Sequence, residues 1–250
     1  MTFTNRKTVI IIQARKGSSR LPNKMVLPFY KGKGVFELVL EKLIKSEVKA
    51  LIILATTTNL IDDELVTIAS NKKIEVFRGD EQNVLKRFID AADYFSAENI
   101  IRVCADNPFL DVSHIPNLID EIEKNKYDYI SFKHPNGRPT IKTHLGLFTE
   151  ATTINALKKI RESTSDTLYL EHVTNYLYEQ TDNFKLLNLP DYFINTNDIR
   201  LTLDTIEDFN FEKKLYEKFS GLNTKELIEM LKSSQEAQTF MHEQIIKNEK

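Results

Sequence analysis

Positive charge is concentrated at one end of this chain, beside a run of apolar residues. The first 36 residues contain eight lysines and arginines and no aspartate or glutamate. Since the 250 residues have a net charge of −2, the other 214 carry −2 − 8, or −10. The apolar run 9–12 leads into the loop QARKGSSRLPNK, where Arg15, Arg20 and Lys24 surround small residues. Free backbone N–H groups and cations beyond a strand end suit a polyanion such as a triphosphate; the alternative is a solvated basic loop.

Two aspartates that follow apolar segments are suited to hold the metal ion that accompanies such a polyanion. Asp106 comes two residues after the segment 100–104, which is apolar except for Arg102, and Asp204 directly follows the strand-like segment 199–203. A triphosphate needs a divalent ion to offset its charge, and Mg²⁺ is usually held by one or two carboxylates with phosphate oxygens and waters. Asp106 is therefore a candidate magnesium ligand, and Asp204 is a second candidate. The alternative for each is a carboxylate that caps a helix.

Composition excludes several classes of protein. Apolar residues make up 41% of the chain and charged residues 28%, as in ordinary globular proteins. We find neither a membrane-spanning apolar stretch nor a secretory leader, and predict a cytoplasmic protein without a membrane partner. Cys104 is the only cysteine, which rules out an internal disulfide and a Cys-rich zinc site. The nearly neutral net charge argues against general nucleic-acid binding.

The first half of the chain alternates between two kinds of pattern. Apolar runs predict strands, and segments with helical periodicity predict helices between them. This alternation favours right-handed βαβ units and a mostly parallel sheet, that is, an α/β fold of the Rossmann-like three-layer type. The predicted strands are 9–12, 51–55, 74–77, 100–104 and 129–132, and the predicted helices are 35–48, 62–72, 82–96 and 114–126.

The pattern changes after residue 130. Residues 131–150 are polar and β-like, with a strong turn signal at 134–137. Helices are expected at 150–162, 168–180 and through the tail 205–250, and strands at 184–189 and 199–203. We predict a single domain, 1–250, with a core at about 8–130 and 184–230 and a β-rich insert at about 131–183.

The basic loop is neither a Walker A motif nor a GxGxxG motif. The stretch IIQARKGSSRLPNK instead resembles the opening motif of the sugar-activating cytidylyltransferases, such as CMP-3-deoxy-manno-octulosonate synthetases and acylneuraminate cytidylyltransferases. It is most similar to the subgroup of spore coat polysaccharide biosynthesis protein F. The resemblance spans about residues 8 to 210, and further matching segments are 55–58, 62–63, 77–80, 83–87, 101–109, 171–174 and 200–205.

The resemblance implies a GT-A-like nucleotidyltransferase that is dependent on Mg²⁺ and uses CTP. Arg15, Lys24, Asp106 and Asp204 would be the catalytic residues, with the two aspartates as metal ligands. The alternative to nucleotide binding at 55–57 is a polar strand end, and at Arg78 and Arg87 it is a surface arginine. The nucleotide site would comprise Gln13, Ala14, Arg15, Gly17, Ser18, Ser19, Arg20, Lys24, Ala55, Thr56, Thr57, Arg78, Arg87 and Asp106.

The acceptor side is less clearly marked in the sequence. Glu171 and His172 lie in a family segment, although Leu170 stands where the family commonly has arginine. His144 lies in the insert and is a third candidate for acceptor binding. Related cytidylyltransferases are generally dimers in which such an insert reaches the neighbouring subunit. We therefore expect 131–150 to form the acceptor side and a homodimer contact; the alternative is a solvated hairpin.

Three functions remain open at this stage. The first is transfer of a nucleotide from CTP to a sugar-like acceptor, with pyrophosphate released. The second is a glycosyltransferase that consumes a sugar nucleotide, although 106–108 matches its DxD metal motif poorly. The third is a non-catalytic nucleotide-binding protein, which has less need of two such aspartates. GTP or UTP in place of CTP also remains open.

Overall fold

Seven strands form one sheet in the computed structural model, which describes residues 8–18 and 20–248. Ser19 lies outside the described residues. The order across the sheet is β3-β2-β1-β4-β6-β5-β7, and only β6 runs antiparallel to its neighbours. The mostly parallel α/β sheet is therefore confirmed. The strands are β1 (Thr8–Gln13), β2 (Leu51–Thr57), β3 (Glu75–Gly79), β4 (Asn99–Cys104), β5 (Tyr129–Lys133), β6 (Glu150–Thr153) and β7 (Phe184–Asn188).

Helices cover both faces of this sheet. The helices are α1 (Val35–Lys45), α2 (Asp63–Asn71), α3 (Val84–Tyr94), α4 (Ile115–Ile122), α5 (Ile154–Ser163), α6 (Thr167–Glu171), α7 (Asn175–Gln180), α8 (Ile206–Phe219), α9 (Thr224–Ser233) and α10 (Gln235–Lys247). Single 3₁₀ turns lie at Leu60–Asp62, Thr140–Lys142 and Asp191–Phe193. Within the described residues, no helix is both long enough and apolar enough to span a bilayer.

The apolar run of β1 explains the three layers. Ile10 and Ile12 pack in one buried cluster with α1, α4, α8 and α9, whereas Val9 and Ile11 pack in a second cluster with α3, α5 and α7. Because both faces of the strand are covered, every position of the run is apolar instead of every other one. This buried strand supports the basic loop at its carboxyl end.

The insert is less rich in β structure than predicted. Between the ends of β5 and β6, residues 134–149 form turns, extended segments and one 3₁₀ turn. The predicted helix 168–180 is divided into α6 and α7, with β-branched Val173 and Thr174 at the break.

The predicted strand 199–203 is wrong. This segment is extended but joins no ladder, since Leu201 N–H donates to His144 O and Leu203 N–H donates to Asp106 O. The segment has an alternating apolar pattern because its apolar side chains are buried, and not because it pairs with a strand of the sheet. The close approach requires Gly146, which has φ +63°, because a Cβ there would lie 2.0 Å from Leu201 O.

Candidate active site

Three segments meet at the carboxyl edge of the sheet. The N–H of Ala105, just after β4, donates to Gln13 O at the end of β1 over 3.3 Å. One residue further on, Asp106 O accepts from Leu203 N–H, also over 3.3 Å. These two backbone bonds place the basic loop, the turn of Asp106 and the segment leading to Asp204 side by side.

Lys24 joins the basic loop to Asp106. Its Nζ lies 2.8 Å from Asp106 Oδ2 and 2.9 Å from Leu203 O, and the residue is 8% exposed. Burial alone would lower the pKa of Lys24, but attraction and hydrogen bonding to Asp106 outweigh it and raise this pKa above its usual value. Lys24 is therefore a permanent cation at this edge of the sheet.

Arg20 makes the equivalent contact with Asp204. Its Nη2 lies 2.7 Å from Asp204 Oδ1, and about half of the arginine side chain is exposed. Among the described residues, no cluster of three or more His, Cys, Asp or Glu side chains suits a metal ion. Asp106 and Asp204 still fit Mg²⁺ or Mn²⁺, because their hard carboxylate oxygens are what such ions take from a protein when phosphate and water complete the shell.

Neither aspartate caps an α-helix. The cap of α8 is Thr205, whose hydroxyl accepts from Asp208 N–H, while an Asp208 oxygen accepts from Thr205 N–H. The helix that follows Asp106 begins only at residue 115, with His114 at its cap position. The capping interpretation of both aspartates is therefore wrong.

Arg15 joins the basic loop to Glu81 and to the end of α6. Its guanidinium donates to Glu81 O over 3.3 Å and to a Glu171 carboxylate oxygen over 3.4 Å. Glu171, a predicted acceptor residue, therefore lies on the Arg15 side of the site. His172 is exposed at the end of α6.

Arg87 is buried, so its interpretation as a surface arginine is wrong. One guanidinium nitrogen, Nη1, donates to Asp80 O, while Nε and Nη2 are buried without a partner among the described residues. Burial, followed by the nearby charge of Arg15, lowers the pKa of Arg87 to about 10. A charged guanidinium with unused donors beside the basic loop suits a ligand rich in oxygen acceptors.

Arg78 ties the end of β2 to the turn that follows it. Its Nε donates to Thr57 O and its Nη2 to Asn59 O, both over 2.8 Å, and its Nη1 pairs with Asp63. These contacts leave Arg78 a structural role at the edge of the site. Ligand binding by Arg78 remains a prediction.

The other predicted nucleotide residues lie along the ends of β1 and β2. Gln13 pairs in register with Ala55 and accepts a hydrogen bond from Arg102 over 3.2 Å. Ala14, Ala55, Thr56 and Thr57 are buried. The Thr56 hydroxyl has no hydrogen-bond partner among the described residues, and contact of these four residues with a nucleotide remains a prediction. Gly17 and Ser18 lie in the loop itself, where Ser18 N–H donates to Lys16 O over 2.8 Å.

Sequence reasoning missed the part played by Asp62. It was expected in the first turn of a helix, but its buried carboxylate accepts from Lys16 N–H over 2.8 Å and from the Thr57 hydroxyl. Asp62 therefore anchors the backbone of the basic loop to the end of β2. The sequence signals were the pair Asp62-Asp63, where one carboxylate would suffice for the helix, and the place of 62–63 among the segments that resemble the family.

His144 is not on the side of Glu171. It is 7% exposed, and its Nδ1 lies 2.5 Å from Nη1 of Arg200, whose guanidinium also contacts Asp204. The structure therefore joins His144 to Asp204 through Arg200 and leaves Glu171 near Arg15. Contact of these three residues with an acceptor remains a prediction.

Comparison with known sequences gives one family. The cytidylyltransferase family model matches residues 9–244. Uncharacterized protein MJ1063 of Methanocaldococcus jannaschii is 37% identical over 218 residues, which are 87% of this chain and 86% of that protein. Spore coat polysaccharide biosynthesis protein SpsF of Bacillus subtilis is 30% identical over 241 residues, 92% of this chain and 96% of that protein.

Solved structures share the same architecture. A cytidylyltransferase from Leptospira borgpetersenii has a TM-score of 0.78 at 28% identity and covers 95% of this chain and 98% of its own. CMP:2-keto-3-deoxy-manno-octonic acid synthetase, solved with CTP, has a TM-score of 0.62 at 17% identity and covers 85% of this chain and 99% of its own. At that identity the second likeness concerns the fold alone.

Proposed function

The chain belongs to the cytidylyltransferase family, and we propose that it transfers a cytidylyl group from CTP to a sugar or sugar-like acceptor, with Mg²⁺ as the metal ion. Membership of the family makes it a nucleotidyltransferase with the corresponding α/β fold. CTP is the ligand in the related synthetase structure, which supports this nucleotide. The name of the Bacillus subtilis relative supports a product used in surface polysaccharide or glycoconjugate synthesis.

One observation carries the proposal. Two carboxylates and two cations from distant parts of the chain form adjacent pairs, Asp106 with Lys24 and Asp204 with Arg20, beyond the carboxyl ends of parallel strands. A site for a metal-bound triphosphate needs both kinds of group within one cluster. Stability alone does not explain these pairs, because ion pairs that are partly exposed to solvent contribute little to it.

The proposed reaction is a displacement at the α-phosphorus of CTP. The acceptor oxygen forms a new P–O bond as the bond to the bridging oxygen of the β-phosphate breaks. That electron pair leaves with pyrophosphate, and the proton of the acceptor hydroxyl passes to water. Little covalent chemistry falls to the protein, so positioning and charge stabilisation dominate.

The cations of the basic loop hold the triphosphate in this proposal. Lys24 is buried and fixed by two acceptors, so it provides a positioned charge, whereas Arg20 is half exposed and can turn towards phosphate. Arg15 contributes from the other side of the loop. Asp106 and Asp204 would hold the divalent ion, which supplies neutralisation of phosphate charge when bound.

The decisive experiment measures product, with substrates varied one at a time. The protein is incubated with Mg²⁺, a panel of sugar acids and sugar phosphates, and in turn CTP, GTP, UTP or ATP. Pyrophosphate is assayed, and the nucleotide sugar is identified by mass spectrometry. We expect both products with CTP and one class of acceptor. Glycosyl transfer from a sugar nucleotide without pyrophosphate, or CTP binding with no turnover for any acceptor, would contradict the proposal.

A further inference from the structure

Arg200 is a buried cation that faces the candidate metal ligand from inside the protein. The residue is only 2% exposed. Arginine is rarely buried unless it is paired. Arginine is not deprotonated in proteins, so the guanidinium is a permanent positive charge with five donors in a fixed fork.

The donors of Arg200 hold Asp204 in two ways. Nη2 lies 3.2 Å from Asp204 Oδ2. Nε and Nη2 also bind the two oxygens of Asp208 over 2.8 Å and 2.7 Å, and Asp208 Oδ2 accepts from the N–H of Asp204 over 3.1 Å. Arg200 thus contacts the carboxylate of Asp204 directly and fixes its backbone through Asp208.

A third donor of Arg200 reaches the insert. Nη1 lies 2.5 Å from Nδ1 of His144. Because arginine can only donate, Nδ1 is the acceptor in this contact. The carbonyl of His144 in turn accepts from Leu201 N–H over 2.9 Å, and Gly146 packs against the same backbone. Position 144 of the insert is thereby locked to the segment that carries Asp204.

Glu212 shows how selective the contacts of Arg200 are. This residue lies one turn of α8 beyond Asp208 and is 1% exposed, yet neither of its oxygens has a hydrogen-bond partner among the described residues. Burial, followed by repulsion from Asp208, raises the pKa of Glu212 well above its usual value. The donors of Arg200 are directed to Asp208, Asp204 and His144 although a third carboxyl group lies close by.

We propose that Arg200 is a positioning residue which orients Asp204 towards the metal–triphosphate complex and, through His144, couples that orientation to the insert. The inference rests on the proposed function, since it assigns Arg200 a role in the same site. Partners that orient a metal ligand typically change metal affinity or activity by about 10- to 100-fold when they are lost. Asp208, whose oxygens are taken by Arg200 and by backbone N–H groups, then belongs to this support and not to the metal shell.

The test measures metal binding without turnover. Mn²⁺ is titrated, with detection by electron paramagnetic resonance, into wild type and Arg200→Lys in the presence of the non-hydrolysable analogue α,β-methylene-CTP. Lysine keeps the charge but loses the planar fork. We expect the Kd for Mn²⁺ to rise about 10- to 100-fold, with less than about threefold change in affinity for the analogue without metal.

Controls separate positioning from general damage to the fold. Two substitutions should leave Mn²⁺ affinity within about twofold of wild type. Glu212→Gln changes a residue of α8 that is as buried as Asp208, and Arg161→Lys changes an exposed arginine of α5. Asp208→Asn keeps an oxygen for the helix cap but loses charge, and it should shift the affinity in the same direction as Arg200→Lys. It therefore tests the inference if Arg200→Lys does not fold.

The two proposals fail in different ways. A wild-type protein that binds neither the analogue nor Mn²⁺ beside it would refute the proposed function and this inference with it. Normal binding by wild type, with equal Mn²⁺ affinity in folded Arg200→Lys and Asp208→Asn, would refute only the positioning role. An equal loss in Glu212→Gln would likewise overturn it, because any change in the buried cluster would then suffice.

Discussion

The ammonium group of Lys24 lies 2.8 Å from Oδ2 of Asp106, so a cation of the basic loop and a candidate metal ligand form one partly buried pair. They are 82 residues apart in the chain and meet because β1 and β4 are adjacent and parallel. The same edge brings Arg20 to Asp204. The site is therefore a consequence of the strand order, and each carboxylate is held by a residue from another part of the fold.

We expect Lys24→Ala to weaken CTP binding far more than it lowers the melting temperature. A lost charge-assisted bond is worth about 1.5–3 kcal/mol, or roughly ten- to hundredfold in affinity. Arg15→Ala should act in the same direction, with a smaller effect because its side chain is about one third exposed. Calorimetric titration with CTP measures both. Equal CTP affinity in wild type and Lys24→Ala would exclude its role in phosphate binding.

The matched control is Lys33→Ala. Lys33 belongs to the same basic end of the chain but pairs with Glu41 away from the loop. Its loss removes one charge and should leave CTP affinity within about twofold of wild type.

Since the pKa of Lys24 is raised above its usual 10.5, its pairing with Asp106 is fully present at neutral pH and is lost only as the pH rises through that raised value.

Asp106→Asn and Asp204→Asn should each abolish turnover while the fold remains intact. Asparagine keeps the shape but removes the negative charge that suits a divalent ion, so we expect kcat to fall at least about 100-fold. Removal of metal by EDTA should have the same effect on wild type and be reversed by Mg²⁺. Steady-state kinetics at saturating Mg²⁺, with circular dichroism for folding, provides the test. Near-normal kcat in either variant would rule out its role as a ligand.

Arg87→Met should separate stability from ligand binding. The wild-type guanidinium is buried with two nitrogens unpartnered among the described residues, and burying a charge without an ionic partner costs free energy that an apolar side chain avoids. We therefore expect an equal or higher melting temperature without nucleotide and a CTP Kd at least about tenfold higher. A variant with lower stability and unchanged CTP affinity would make Arg87 a structural residue.

The strands and helices of the first half were predictable because their signals are local. The fully apolar run at 9–12 and the alternation of strand and helix patterns determine a parallel sheet, and the sheet then places Asp106 beside the basic loop. Segment 199–203 shows where this reasoning stops. Its apolar residues do alternate, but its backbone N–H groups donate to His144 and Asp106, which are far away in the sequence. A local pattern carries no information about such distant partners.

The supporting contacts of the site were not predictable for the same reason. Asp62 looks like a helix residue in sequence and is an anchor of the basic loop in the structure. The sequence leaves a surface arginine open at position 87, but Arg87 is buried in the structure. His144 was expected to face an acceptor, and its partner is Arg200, 56 residues away. Residue type and spacing identify candidate ligands, whereas the residues that orient them depend on packing between distant segments.

The insert provides the last prediction, that it forms the acceptor side of the site and a homodimer contact. Of its polar residues, His134 is buried and faces Thr196, and Lys142 lies over the ring of Tyr178. Arg138 is exposed, which leaves it the best placed of these cations for an anionic acceptor or a second subunit. We expect Arg138→Ala to raise the acceptor KM about tenfold with little change in the KM for CTP.

Light scattering reports the mass in solution, and we expect a dimer at micromolar concentration. His144→Ala should also raise the acceptor KM if the insert lines that part of the site, and through Arg200 it should weaken metal binding as well. Arg161→Ala, an exposed arginine on α5, is the control and should alter neither constant. A monomer whose acceptor KM is unchanged by Arg138→Ala and His144→Ala would show that residues 131–150 are an ordinary surface segment, because a wall of the acceptor site or a subunit contact must respond to at least one of these changes.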